Sequence, residues 1–254
     1  MSPMAKTGQS VKIRLDKLLS SQGLGSRKEV LKLIKQGRVK VNQVTITKPD
    51  TKVNPSKDLV QVDGKEIVWK RHLYYKLYKP SGYITSTSDK DGPCVLEILP
   101  EKLSKVKGLF PVGRLDKDAE GLLLFTNNGE LAHRILHPKW KLPKVYEVKL
   151  DKPLEEKAKR TIELGVKLKE GLTKPAKVEV LSEDASLVKI TVYEGRYHLI
   201  KRLFASQGYR VIRLKRIQVG CISLEDMKPG ELRELSPREV KELKSLLKLS
   251  TEVL

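Results

Sequence analysis

Aromatic residues are scarce in this chain, making up 5% of its 254 positions. A protein that grips single strands through many stacked bases needs more rings than that, so an extended stacking surface is excluded. Cysteine is nearly absent as well. Cys94 and Cys221 stand far apart with no CxxC spacing, which argues against structural zinc or a disulfide framework and fits a reducing compartment. His133 and His137 have the spacing of a helical metal pair, but no Glu follows the first as HExxH requires. Surface histidines fit better, and no metal is expected. No apolar run approaches membrane length, and MSPMAKTGQS lacks the hydrophobic core of a signal peptide. A cytoplasmic protein is the expectation.

Acids are in deficit. Against 31 Asp and Glu stand 51 Lys and Arg, a formal net charge of +20. Each cation placed on a phosphate releases a condensed counterion, so a surplus of this size favours a nucleic-acid partner. The surplus begins early. After a disordered lead at residues 1–10, residues 11–68 read as a small basic module, and residues 1–68 hold 14 Lys and Arg against 6 acids. Leu15, Leu18 and Leu19 share one helical face. Ser26 and Glu29 form a capping box opening a second helix that ends at Gly37. Val30, Leu31 and Ile34 form its apolar stripe, and Lys28, Lys32 and Lys35 line up opposite, with Arg27 beside them. No acid interrupts that lysine row, so it reads as a phosphate-contacting ridge. Short strands at 39–41 and 59–62 follow, the latter turning through Asp63-Gly64.

Residues 69–71 read as a hinge, and 72–254 have a different texture. Alternation predicts strands at 73–78, 145–150 and 187–192, with an apolar strand at 122–125 and a basic one at 209–219. Helices are predicted near 129–137, 153–164 and 197–207, and Ser236-Pro237 caps a last one. Without regular βαβ repetition this is α+β, with a mixed, largely antiparallel sheet.

The stretch PVGRLDKDAEGLLLFTNNG (111–129) places acids at alternate positions before a glycine. That is how a calcium loop begins. A twelve-residue loop starting at Asp116 would need a bidentate Glu at its last position, which is Asn127, and Leu122 to Phe125 are apolar where hydrated ligands belong. The calcium reading fails. An acidic turn feeding an apolar strand remains, with Asp118 and Glu120 read as turn and surface acids.

Taken in order, KPSG (79–82), PVGRLD with DAEGLLLFTNNGELAHRILHP (111–138), KVYEV (144–148) and EGRYHLIKRLF (194–204) resemble the motif series of the RsuA-type pseudouridine synthases. IRLDKLLSSQGLGSRKEVLKLIKQGRVKVN (13–42) is similar to the S4 RNA-binding domain of that branch. The resemblance spans about residues 12 to 240. It implies a small S4-like (αL) domain at 11–68 and a synthase domain at 72–254. It implies Asp116 as nucleophile, Tyr146 as the ring stacking on the target base, Lys201 as the carboxylate's partner, and Leu203 packing beside the base. Arg114, Arg196, His198 and Arg202 join Arg27, Lys28, Lys32 and Lys35 as implied RNA contacts.

The reaction breaks and remakes a glycosidic bond without oxidation, so no cofactor is expected. A cation beside Asp116 would keep it charged in a desolvated pocket, and stacking on Tyr146 would offset the cost of flipping the base. The partner implied is ribosomal RNA, bound by a monomer. The EGRYH form points to 16S rRNA; alternatives are 23S rRNA or a non-catalytic ribosome-assembly protein. Ala119 stands where the family usually has threonine, and Asn128 where aspartate is common.

Overall fold

The computed structural model describes residues 12–86, 92–106 and 108–250. The lead assigned to residues 1–10 lies outside the described residues. The chain forms two compact units. One runs to Arg71 and also takes in Leu99–Leu109; the other holds His72–Ile98 and the chain from Phe110 onward. A single cut at residue 71 therefore does not separate them. Nor are residues 69–71 a free hinge: Lys70 exchanges two hydrogen bonds with the Gln22 side chain, at 3.0 and 3.1 Å.

In the first unit, Leu15, Leu18 and Leu19 of helix Leu15–Ser21 meet Val30 and Ile34 of helix Arg27–Lys35 in one apolar core. Val39, Val41, Val60 and Val62 supply its other side from a four-stranded sheet. The Ser26–Glu29 capping box forms, with the Ser26 N–H donating to Glu29 Oε2 at 2.6 Å. Leu33, rather than the expected Leu31, packs against this core. Arg27, Lys28, Lys32 and Lys35 are exposed. Lys105, from the inserted segment, reaches Glu29 at 3.7 Å.

The second unit is built on a nine-stranded sheet ordered Lys177–Val180, Leu187–Val192, Lys144–Leu150, Val211–Val219, Glu120–Thr126, Tyr74–Lys79, Leu232–Glu234. Ile222–Ser223 and Phe110–Val112 pair beside this path. Every pairing in the sheet is antiparallel except one: Glu120–Thr126 runs parallel to Val211–Val219. The architecture is α+β. Successive side chains alternate between faces. One face carries Tyr78, Leu122 and Leu124 against helices Gly129–Leu136 and Pro237–Leu246, through Leu131, Ile135, Leu243 and Leu247. The other carries a cross-sheet row in register: Lys79 opposite Gly121, Gly121 opposite Arg216, Arg216 opposite Tyr146. Among the described residues no helix is long and apolar enough to cross a membrane.

Gly121 is the tight point of that row. Its φ is +108°, and a Cβ there would lie 2.2 Å from the Arg216 carbonyl oxygen and 2.8 Å from its nitrogen. No side chain can bend away, because the obstacle is backbone. Gly121→Ala is predicted to destabilise the protein by about 3 kcal/mol or more, read as a lowered urea midpoint.

Candidate active site

The acidic turn sits at the mouth of strand Glu120–Thr126, and its backbone is held at every step. The buried Thr85 hydroxyl donates to the Leu115 carbonyl at 3.0 Å and accepts the Leu115 N–H at 3.1 Å. Ser81 Oγ donates to the Asp118 carbonyl, and the Gly82 N–H donates to the Lys117 carbonyl at 2.7 Å. The strongest hold is Lys79. It is 0% exposed, and its ammonium donates to the carbonyls of Ala119 (2.6 Å), Pro80 (2.9 Å) and Lys117 (3.3 Å). Three donors meet three acceptors. Burial pulls Lys79 down to about 8, against the opposing pull of Asp118 and Asp116, so it stays mostly protonated at pH 7. The KPSG stretch is more than a turn: it clamps the loop that carries the acids.

Asp116 lies half-buried at the end of this clamped loop. Its Oδ1 is 3.1 Å from His198 Nε2 and its Oδ2 is 3.1 Å from Lys201 Nζ. Lys201 also donates to both oxygens of Asp118, at 2.7 and 2.9 Å. Burial alone would lower Lys201, but its hydrogen bonds to Asp118 and Asp116 outweigh that and raise it. Asp118 is held below the usual carboxylate range by the Lys201 hydrogen bond. His198 precedes helix Leu199–Ala205 with φ +47°, a left-handed conformation uncommon outside glycine. Tyr197, 74% exposed, stacks on the His198 ring at 3.7 Å.

A family model for RNA pseudouridylate synthase matches residues 74–206, and an S4 domain model matches 13–60. The chain belongs to the RNA pseudouridylate synthase family. An RNA pseudouridine synthase of Aquifex aeolicus is 47% identical over 243 residues, 94% of this chain and 100% of that protein. The ribosomal large subunit pseudouridine synthase B of Bacillus subtilis is 38% identical, covering 92% of this chain and 96% of its own. A crystal structure of a pseudouridylate synthase superposes with a TM-score of 0.63 at 34% identity, over 91% of this chain and 99% of that one. The protein is therefore a pseudouridine synthase, an isomerase acting on RNA, and the non-catalytic alternative falls away.

In the synthase the expected residues divide into groups. Asp116, His198 and Lys201 come together in direct contact. Tyr146 stands half-buried in the row that runs through Gly121 to the Lys79 clamp. Arg114 is exposed beside Leu115, and no hydrogen bond to a described residue engages it. Arg196 and Arg202, expected to face RNA, are engaged within the protein. Arg196 donates to the carbonyls of Gly171 and Leu172 and pairs with Glu194, while Arg202 pairs with Glu170. They rivet the EGRYH turn to the 170–172 hairpin. Leu203, expected beside the base, is 1% exposed. Arg27, Lys28, Lys32 and Lys35 belong to the first unit.

Glu120 needs correcting. It is no surface acid: its side chain is 15% exposed, takes the Tyr78 hydroxyl hydrogen bond at 2.8 Å, and pairs with Arg213. Burial and this bond push Tyr78 up to about 12. Of the three alternating acids, Asp116 and Asp118 thus share Lys201, while Glu120 turns to Tyr78 and Arg213. Sequence reasoning missed Lys79 and Thr85; a lysine ending an apolar-facing strand just before Pro-Ser-Gly was the available signal. Asn128 replaces a common aspartate without loss, capping helix Gly129–Leu136 through the Leu131 N–H at 3.1 Å. Thr85→Val is predicted to lower stability by about 1–3 kcal/mol, because Leu115 loses both bonds. Under single turnover its rate should fall roughly tenfold with affinity nearly unchanged, because the loop is misplaced rather than the RNA.

Proposed function

We propose that this synthase converts one uridine of large-subunit ribosomal RNA to pseudouridine, with Asp116 as nucleophile. The observation that carries the site is the carboxylate with a nitrogen 3.1 Å from each oxygen, His198 Nε2 at one and Lys201 Nζ at the other. Each oxygen keeps a lone pair for substrate. In this reading the N1–C1′ bond breaks with its electron pair leaving on uracil, and Asp116 bonds to C1′. The base turns and C5 attacks C1′, releasing Asp116. A proton leaves C5 and another is gained at N1, so the reaction is redox-neutral. Tyr146 stacks on the flipped base, and Arg114, exposed at the loop, contacts the RNA backbone. Asp116→Asn should abolish product formation while RNA affinity stays within about threefold; retained activity would overturn the assignment of the nucleophile.

Large-subunit RNA is favoured over the 16S expectation by the name of the Bacillus relative, which matches nearly end to end. The 16S reading rested on the EGRYH form alone. In this reading the enzyme works in the cytoplasm, where ribosomal RNA is assembled, and its site needs no second copy, since Asp116, His198 and Lys201 come from one chain. Pseudouridine mapping in cells with and without the gene tests the substrate. One lost site in large-subunit RNA is expected; a lost small-subunit site, or none, would overturn it.

The lysine row of the S4 unit supplies the sequence-independent part of binding. Replacing Lys28, Lys32 and Lys35 together by Ala is expected to reduce the slope of log affinity against log salt by roughly two to three. Titration at several salt concentrations reads it directly.

A further inference from the structure

Among the described residues of the synthase unit three lysines are buried: Lys76, Lys79 and Lys144. Two have their charge answered. Lys76 donates to the Ser223 carbonyl at 3.0 Å and pairs with Glu239 at 3.2 Å. Lys79 holds its three carbonyls. Lys144 is different. It is 8% exposed, yet among the described residues no hydrogen bond or ion pair engages its ammonium. Nor is that nitrogen one of the fully enclosed, unsatisfied polar atoms, so the stem is buried while the tip keeps some contact with solvent.

Its surroundings are cationic. Lys144 opens strand Lys144–Leu150 two residues before Tyr146, so both side chains leave the sheet on one face. Its strand partners there, Val192 and Val219, are apolar. The charges that act on it are Arg216 and Lys174; with burial first among the causes, they pull Lys144 down to about 8. Arg216 is itself buried and donates one bond, Nε to the Leu122 carbonyl at 2.8 Å. Lys174 Nζ donates to the Pro138 carbonyl at 3.3 Å. Glu194, two residues past the Val192 that pairs with Lys144, is already committed to the Lys174 N–H and to Arg196. A fold that holds three cations together with no acid among them bears a cost that a bound anion would remove.

We propose that Lys144, with Arg216 and Lys174, binds one backbone phosphate of the RNA beside the nucleotide whose base stacks on Tyr146. This rests on the reading of Tyr146 as the base platform. The phosphate fixes the strand where the flipped nucleotide leaves it, so Lys144 is a positioning residue rather than one that touches the reacting atoms.

The test uses the full-length enzyme and a ribosomal RNA fragment in which single linkages near the target uridine are replaced by uncharged methylphosphonates. One such linkage should weaken wild-type binding about tenfold. Lys144→Met should weaken binding of unmodified RNA by a similar factor and lose all sensitivity to that linkage, while Lys144→Arg keeps it. The thermal midpoint of Lys144→Met should equal or exceed the wild type, because an unanswered buried charge has gone. Absence of any linkage whose effect vanishes in Lys144→Met would overturn the site, and so would a lowered midpoint, which marks a structural role. A wild type that shows the coupling but forms no pseudouridine would instead defeat the proposed reaction and leave the phosphate site standing.

Discussion

The buried ammonium of Lys79 is the constraint on which the active site depends. A loop of five residues, Leu115 to Ala119, would leave several carbonyls without partners at the edge of the core. Lys79 answers two of them, together with its neighbour Pro80, from inside the sheet. Taking an ammonium out of water is costly, and its lowered pKa records that cost. The arrangement holds because three carbonyl oxygens replace the lost water. Asp116 then hangs from a loop fixed at both flanks, by Thr85 at Leu115 and by Lys79 at Ala119. A preorganised carboxylate needs no rearrangement when substrate arrives.

Much of this fold could be read in the chain. Strand Leu187–Val192 alternates cleanly, and the structure places it at the predicted residues. The capping box at Ser26, the cap at Ser236 and the hairpin turn at Asp63-Gly64 depend on neighbours two or three residues away, so local sequence determines them. What escaped depends on distant neighbours. Lys79 looks like a surface lysine beside a turn until residues 115–119 fold over it. Glu120 reads as solvated until Tyr78 and Arg213, 42 and 93 residues away, close on it. Arg196 and Arg202 look free for RNA until the 170–172 hairpin accepts them. The 99–109 segment joins the first unit for the same kind of reason: nothing in its composition announces its neighbours.

Of the candidate site, Asp116 and Lys201 were legible because the motifs that carry them are specific in order and spacing. His198 was legible as a residue but not as a partner of the carboxylate. Its left-handed φ turns the imidazole where an ordinary helix start would not, and sequence carries little signal for a strained residue that is not glycine.

The position of the site follows from the one parallel pairing in the sheet. Antiparallel neighbours are commonly joined by hairpins, which close off the end of a sheet. Two parallel neighbours enter from the same end, so the segments that precede both strands meet there. Before Glu120–Thr126 comes the Asp116 loop; before Val211–Val219 comes the helix Leu199–Ala205, led by His198 and carrying Lys201. The acid and its two partners therefore converge because their strands run the same way. Reversing either strand would move one of them to the far end. At the same junction Gly121 lets the Arg216 backbone approach closely, and Arg216 opposes Tyr146 in the next strand. One pairing thus brings carboxylate, cations and aromatic ring to the same end of the sheet, and a methyl group at Gly121 would strain the junction that holds them.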